Sequence, residues 1–127
     1  PPVRLILDPQ RRLPATFNVF DCSTPTYIFT EKTNCLSKKN CEFIYFDFSN
    51  KNITHLINAI YDLNIHSILV EGGAKLLASF IAAGLWNEAQ IEISPATIGD
   101  GVTAPLLPAI PVGEKIYERN RILYYKK

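Results

Sequence analysis

The feature that most constrains the fold is a junction in the middle of the chain, where an apolar run meets two glycines and a helix. Residues 67–70 are a continuous, mostly apolar run, which is typical of a strand covered on both faces of a sheet. Gly72 and Gly73 follow, and apolar residues at helical spacing begin after Ala74. The pattern predicts an interior strand over 67–70, a glycine turn, and a helix that begins within a residue or two of Ala74.

The patterns on either side of this junction predict further strands and one more helix. Runs of β-branched and aromatic residues predict short strands, and apolar spacing after Asn52 predicts a helix that ends near residue 63. The other predicted strands are residues 3–7, 25–30, 41–46 and 89–93, with a closing hairpin within 114–126. Strands joined by helices imply parallel neighbours with right-handed crossovers. We expect an α/β fold with a mostly parallel mixed sheet flanked by helices and a C-terminal antiparallel hairpin.

Composition limits the class of protein and its partners. The 127 residues are enough for a single domain, 1–127, and the net charge of +1 gives no broad attraction to nucleic acid or to a membrane surface. The sequence contains no apolar run of transmembrane length, and we expect no signal peptide. The three cysteines show no Cys-x-x-Cys spacing, so we expect no metal site, free thiols and a reducing, cytoplasmic location.

The glycine pair before the predicted helix has the chemistry of a diphosphate cradle. The first turn of a helix leaves backbone N–H groups without intrahelical partners and carries the positive end of the helix dipole. Glycines let a phosphate approach those groups without hindrance from a Cβ atom. The junction is neither Gly-x-Gly-x-x-Gly nor a Walker loop. A tight turn that needs glycine for its geometry alone is an equally weighted interpretation.

Glu71 is the second informative residue, because a carboxylate beside a phosphate cradle would repel the phosphate. It could accept hydrogen bonds from hydroxyl or amine groups of a substrate. Alternatively, it caps local backbone N–H groups or forms an ion pair with Lys75, four residues further on.

These segments together resemble the C-terminal reductase domain of the bifunctional riboflavin-biosynthesis deaminase/reductase. The resemblance covers nearly the whole chain. It lies in residues 70–76, 80 and 84–88, in 3–8 with 12–14, and in 98–101 with 104–107. It implies a dihydrofolate-reductase-like fold. It also implies reduction of the ribosyl group of 5-amino-6-(5-phosphoribosylamino)uracil to a ribityl chain, with NADPH as the cofactor.

The resemblance also implies roles for particular residues. Glu71 matches a substrate-contacting position, and residues 73–79 match the segment that wraps the NADPH diphosphate. The Asp8-Pro9 turn matches a cofactor-side loop, and Thr30 or Lys32 lies where the adenosine 2′-phosphate could be bound. It assigns no proton donor. The cofactor-binding candidates are Asp8, Pro9, Thr30, Gly72, Gly73, Ala74, Lys75, Leu76 and Leu77.

The chain also departs from the family pattern. The family's reductase domain opens with a strand and helix that would precede Pro1, and its deaminase half has no counterpart here. We therefore expect a truncated domain that is inactive by itself. Two alternatives stay open: another reductase of this fold, of the pterin or folate type, and a non-catalytic nucleotide-binding or oligomerisation module. The strand at 89–93 and the closing hairpin could present an edge to a second copy, so a homodimer is expected.

Overall fold

The computed structural model describes residues 2–50 and 52–127, and the chain divides into two units, Pro1–Asn52 and Ile53–Lys127. The first unit contains a three-stranded parallel sheet. The second contains two helices and a three-stranded antiparallel sheet. The predicted α/β class is confirmed, whereas the described strands are divided equally between parallel and antiparallel pairing.

The parallel sheet has the strand order β1-β2-β3, and each strand forms where the sequence predicts one. The strands are β1 (Arg4–Leu7), β2 (Thr26–Thr30) and β3 (Cys41–Tyr45). The central strand β2 is buried along most of its length, and Ile28 and Phe29 are completely inaccessible to solvent. Such a strand, apolar on both faces, is what a parallel sheet requires of its centre.

Aromatic side chains extend the core of the first unit beyond the end of β3. The ring of Phe46 lies edge-on to Phe29 at a centroid distance of 5.7 Å and to Phe48 at 4.8 Å. Edge-to-face pairs at this spacing are favourable beyond the area that they bury. Phe29 and Phe46 are buried and belong to the core, and Phe48 packs against them from its edge.

The long connection between β1 and β2 is held by an ion pair at its surface. Arg4 Nη1 donates to Asp21 Oδ1 at 2.9 Å, and the backbone N–H of Ser23 donates to the same oxygen at 2.9 Å. The Ser23 N–H, followed by the Arg4 guanidinium, lowers the pKa of Asp21 to about 2. The carboxylate therefore stays charged, and these contacts persist, at any pH well above that value.

The antiparallel sheet of the second unit has the strand order β4-β6-β5. Its strands are β4 (Glu88–Ile93), β5 (Gly113–Tyr117) and β6 (Asn120–Lys126). Tyr117 pairs with Asn120, so a two-residue turn closes the hairpin between β5 and β6. The hairpin is confirmed. Its second strand, β6, lies in the centre of this sheet rather than at an edge.

The two helices are α1 (Ile53–Tyr61) and α2 (Ala74–Ala82). Gly84 follows α2 and has a φ of +64°. The N–H of Leu85 donates to the carbonyl of Phe80, and that of Gly84 to the carbonyl of Ile81, both at 3.0 Å. This pair of bonds is the Schellman motif, which satisfies carbonyls that the helix end would otherwise leave unpaired.

The strand predicted over residues 67–70 is not present. This segment has no regular secondary structure, and the side chain of Leu69 is 84% exposed. An interior strand needs a hydrogen-bonded neighbour on each side, and no described strand pairs with this segment. The prediction is therefore wrong. An apolar run indicates a preference for burial, but it does not show that another strand lies beside it to form hydrogen bonds.

No helix in the described ranges, 2–50 and 52–127, combines the length and the apolar character that crossing a membrane requires.

Candidate functional site

The start of helix α2 has the features of an anion site. Gly73 is the N-cap residue, with φ −65° and ψ 156°, and no side chain caps the helix. The carbonyl of Gly73 accepts the N–H groups of Leu76 at 3.0 Å and Leu77 at 3.3 Å. The backbone N–H groups of Ala74 and Lys75 lie ahead of this bonding pattern, at the positive end of the helix dipole. An anion placed there would accept a hydrogen bond from each of these N–H groups.

The two glycines before α2 are not required by the conformation of the backbone. The glycines with positive φ in the described ranges are Gly84 and Gly99, and Gly73 is extended. A Cβ atom built on Gly73 would meet nothing within 4 Å, whereas one on Gly72 would lie 3.2 Å from Leu76 Cδ2. The interpretation that glycine serves the turn alone therefore finds no support at Gly73. The space in front of this residue is open to a ligand.

Glu71 lies two residues before this cradle, on the irregular segment rather than at the end of a strand. Its side chain is exposed. The ion pairs found within the described ranges join Arg4 to Asp21, Arg121 to Glu114 and Lys126 to Glu88, so Glu71 is not paired with Lys75. Because α2 also lacks a side-chain cap, neither structural alternative for Glu71 is realised.

Asp8 and Pro9 belong to the first unit, where Asp8 organises the loop that follows β1. Its carboxylate is 5% exposed, and it accepts the backbone N–H of Arg12 at 2.9 Å and that of Leu13 at 3.0 Å. Each carboxylate oxygen thus receives one loop N–H. Asp8 fixes the loop from within and turns its polar atoms away from solvent.

Removing this carboxylate is expected to destabilise the protein strongly. Asp8→Ala leaves two backbone N–H groups without their charged acceptor, at a cost of about 2–4 kcal/mol in the free energy of unfolding. Urea denaturation followed by circular dichroism measures the loss. The control is Asp62→Ala, at an exposed aspartate just after α1, which should change stability by less than about 0.5 kcal/mol. A loss below about 1 kcal/mol for Asp8→Ala would contradict this role.

Thr30, at the end of β2, is also held inside the protein. It is fully buried, and its hydroxyl donates to the carbonyl of Pro9 at 3.1 Å and accepts the N–H of Lys32 at 3.3 Å. The carbonyl of Pro9 also accepts the N–H of Glu31 at 3.0 Å. Thr30 therefore joins the ends of β1 and β2, and of the two candidates for a 2′-phosphate contact, Lys32 is the exposed one.

The sequence gives no signal for a small cavity in the first unit. Arg11, which has a positive φ of 53°, places its guanidinium 4.9 Å from the ring centroid of Phe43. These two side chains line a cavity of about 80 Å³ together with Leu13, Ala15, Phe20, Leu36, Lys38 and Cys41. Sites for small molecules are usually several hundred Å³. The open cradle at α2 is therefore the stronger candidate for a cofactor site.

This chain is similar in sequence to proteins of one known family. Residues 1–114 match the family model described as the RibD C-terminal domain. The riboflavin biosynthesis protein RibD of Aquifex aeolicus is 30% identical over 126 residues, which cover 94% of this chain and 35% of that protein.

A second relative is named a reductase alone. It is the 2,5-diamino-6-ribosylamino-4(3H)-pyrimidinone 5′-phosphate reductase of Methanothermobacter thermautotrophicus, which is 25% identical over 103 residues, covering 77% of this chain and 48% of that protein. This chain thus spans about half or less of the length of these relatives.

A solved structure shares the fold. The crystal structure of a diaminohydroxyphosphoribosylaminopyrimidine deaminase/5-amino-6-(5-phosphoribosylamino)uracil reductase from Thermotoga maritima superposes with a TM-score of 0.79. The two sequences are 23% identical, and the match covers 98% of this chain and 37% of that one. The two α/β folds therefore correspond over almost all of this chain.

Proposed function

The chain belongs to the RibD C-terminal domain family, and from this premise we propose that it takes part in the NADPH-dependent reduction of 5-amino-6-(5-phosphoribosylamino)uracil to its ribitylamino product in riboflavin biosynthesis. The open helix start at Gly73 is the observation that carries the proposal. Relatives of this chain are named as riboflavin-biosynthesis proteins and as a ribosylaminopyrimidinone phosphate reductase, which supports the reaction class.

The residues around α2 fit the diphosphate of the cofactor. The backbone N–H groups of Ala74 and Lys75 donate to its phosphate oxygens, and the helix dipole favours its negative charge. Gly73 contributes by lacking a side chain, since a Cβ there would occupy otherwise open space. Leu76 and Leu77 anchor the first turn through their N–H bonds to the Gly73 carbonyl. NADPH, when bound, supplies the hydride.

For Asp8, Pro9 and Thr30 in the first unit, we keep as a proposal the cofactor-side role that the family resemblance implies, and in the structure these residues shape two loops of that unit. Asp8 fixes the loop after β1 through the N–H groups of Arg12 and Leu13. Thr30 fixes the end of β2 against Pro9. Lys32, exposed beside Thr30, supplies a cation for the adenosine 2′-phosphate. Thr30 thus acts through the backbone that it positions.

Glu71 is assigned to the substrate in this proposal. Its carboxylate is exposed and lacks a described ion-pair partner, so it can accept hydrogen bonds from the amine and hydroxyl groups of the ribosylaminopyrimidine. A negative charge is unsuited to a diphosphate contact. The proposal therefore assigns residues 72–77 to the cofactor and Glu71 to the substrate.

To test the proposal, the binding of NADPH and the reduction of the substrate are measured separately. Nucleotide binding to the purified protein is followed by the fluorescence of NADPH, with NADH as the comparison. Because the domain by itself is expected to be inactive, reduction is followed in the longer protein that contains it, by the loss of NADPH absorbance with 5-amino-6-(5-phosphoribosylamino)uracil and, in parallel, with dihydrofolate. We expect NADPH to bind and the phosphoribosylamino substrate alone to be reduced. Reduction of dihydrofolate instead would favour a pterin-type reductase, and failure to bind NADPH would contradict the proposal.

A homodimer in the cytoplasm, expected from the sequence, is retained as part of the proposal. Strand β5 is an edge of the antiparallel sheet and is exposed along its length, with Ile116 68% and Tyr117 60% exposed. An exposed apolar edge strand favours pairing with a second copy. Sedimentation equilibrium measures the mass, and a monomer at micromolar concentration would contradict the dimer.

A further inference from the structure

Two cations from separate loops of the first unit meet at the small cavity beside Phe43. Arg11 lies in the loop after β1, and Lys38 lies in the loop between β2 and β3. The ion pairs found in the described ranges include neither residue, and no acidic residue of those ranges lines the cavity. The cavity therefore carries two positive charges that no lining side chain neutralises.

The position of Arg11 follows from the turn after β1. Its φ of 53° is left-handed, a conformation that residues other than glycine adopt rarely. Its backbone N–H donates to the carbonyl of Asp8 at 3.1 Å, which closes the turn. The guanidinium carbon lies 4.9 Å from the ring centroid of Phe43, a cation–π contact. The N–H donors of the guanidinium stay available to a ligand, because none of them is engaged in a hydrogen bond found in the described ranges.

The backbone of Lys38 is held beside β3 by hydrogen bonds on both sides of it. The N–H of Lys38 donates to the carbonyl of Cys41 at 2.8 Å, and the N–H of Cys41 donates to the carbonyl of Lys38 at 3.0 Å. The hydroxyl of Ser37 accepts the N–H of Phe43 at 3.1 Å. These bonds fix the loop along the strand that carries Phe43, so the ammonium group of Lys38 starts from a defined position next to the cavity.

The remaining walls of the cavity are mostly apolar, and its volume is small. The ring of Phe20 stacks on that of Phe43 at a centroid distance of 6.5 Å and an interplanar angle of 23°. Leu36 also lines the cavity and is 85% exposed, so its apolar surface is free to be covered. The volume of about 80 Å³ compares with about 30 Å³ per water molecule in the liquid, which suits a compact ligand of a few heavy atoms.

We propose that this cavity binds a short-chain carboxylate, at a site that shares no lining residue with the proposed cofactor site. The guanidinium of Arg11 and the ammonium of Lys38 donate hydrogen bonds to the carboxylate oxygens, and the opposite charges strengthen these bonds. The hydrocarbon body packs against Phe20 and Phe43 and covers part of Leu36, which removes apolar surface from water. The apolar walls disfavour inorganic phosphate, because they offer no partners for its further oxygens.

The test uses butyrate as the probe, with butyramide as its neutral isostere and inorganic phosphate as an anion without a hydrocarbon body. Each is titrated into the isotope-labelled protein, and NMR follows the backbone amides of residues 11, 38 and 43. We expect saturable shifts with butyrate and much weaker binding of the other two. Saturating NADPH should leave butyrate affinity unchanged. Failure to bind NADPH would contradict the proposed function, whereas butyrate affinity tests the carboxylate site alone.

Single substitutions compare the two cations with their neighbours in the sequence. Arg11→Gln and Lys38→Gln should each weaken butyrate binding by about tenfold, the typical effect of losing a hydrogen bond between charged groups. Arg12→Gln and Lys39→Gln are matched controls that should leave butyrate affinity unchanged, because both residues are exposed and neither lines the cavity. Lys38 lies outside the left-handed turn, so its variant decides the matter even if Arg11→Gln unfolds. The proposal would be overturned by equal binding of butyramide, by equal losses in the controls, by displacement of butyrate by NADPH, or by the absence of saturable shifts.

Discussion

Gly73→Val is expected to weaken NADPH binding by tenfold or more while the protein remains folded. The Cβ position of Gly73 is open, since a Cβ atom built there meets no other atom of the protein within 4 Å. A valine would instead occupy the space in front of the N–H groups of Ala74 and Lys75, where the diphosphate is proposed to bind. Each tenfold loss of affinity corresponds to about 1.4 kcal/mol. Fluorescence titration with NADPH measures the change.

Gly113→Val is a matched control for this substitution. Gly113 begins β5, and a Cβ built there also meets nothing within 4 Å. The same change of residue is thus made at an equally open position outside the proposed cofactor site. NADPH affinity and the melting temperature should both stay close to those of the wild type. Unchanged affinity in a folded Gly73→Val protein would show that the glycine pair has no role in cofactor binding.

The parts of this molecule that the sequence predicts well are those whose cause is local. Helix α2 follows from apolar spacing and begins at Ala74 as predicted, and its end at Gly84 uses the conformational freedom of glycine. The hairpin between β5 and β6 is similar, because a short polar turn joins two strands that follow one another in the sequence. The local pattern therefore placed the start of helix α2, where the cofactor is proposed to bind, to within a residue.

The features that the sequence does not show are those that depend on distant partners. Residues 67–70 have the composition of an interior strand, yet a strand also requires neighbours, which composition does not encode. The buried role of Asp8 depends on the path of the loop that bends back over it. In each case the sequence shows the residues but not the neighbours that they contact in the fold.

Glu71 shows how the sequence pattern and the structure together narrow the role of a residue. The sequence identified the residue but left its role open between substrate contact, helix cap and ion pair with Lys75. The structure removes the last two, since α2 has no side-chain cap and the ion pairs of the described ranges do not include Glu71. A carboxylate without a structural partner beside an anion cradle is a sound candidate for recognising a neutral or cationic group.

Glu71→Gln is therefore expected to lower kcat/KM for the phosphoribosylamino substrate by about tenfold or more and to leave NADPH affinity nearly unchanged. A carboxylate that accepts hydrogen bonds from substrate contributes about 1.5–3 kcal/mol per bond, and the neutral amide of glutamine retains only part of this. Steady-state kinetics on the active enzyme measure the first effect, and titration of the free enzyme with NADPH measures the second.

Glu88→Gln is the matched control, because Glu88 is exposed and only forms a surface ion pair with Lys126 at 3.7 Å. Such a pair contributes little to stability, so kinetics and binding should both be preserved. If Glu71→Gln instead lost NADPH affinity and kept its substrate KM, Glu71 would belong to the cofactor site. If both were unchanged while the melting temperature fell, the carboxylate would be structural. Measuring substrate kinetics and cofactor binding separately thus distinguishes the three roles, since the loss of a substrate contact lowers kcat/KM without changing NADPH affinity.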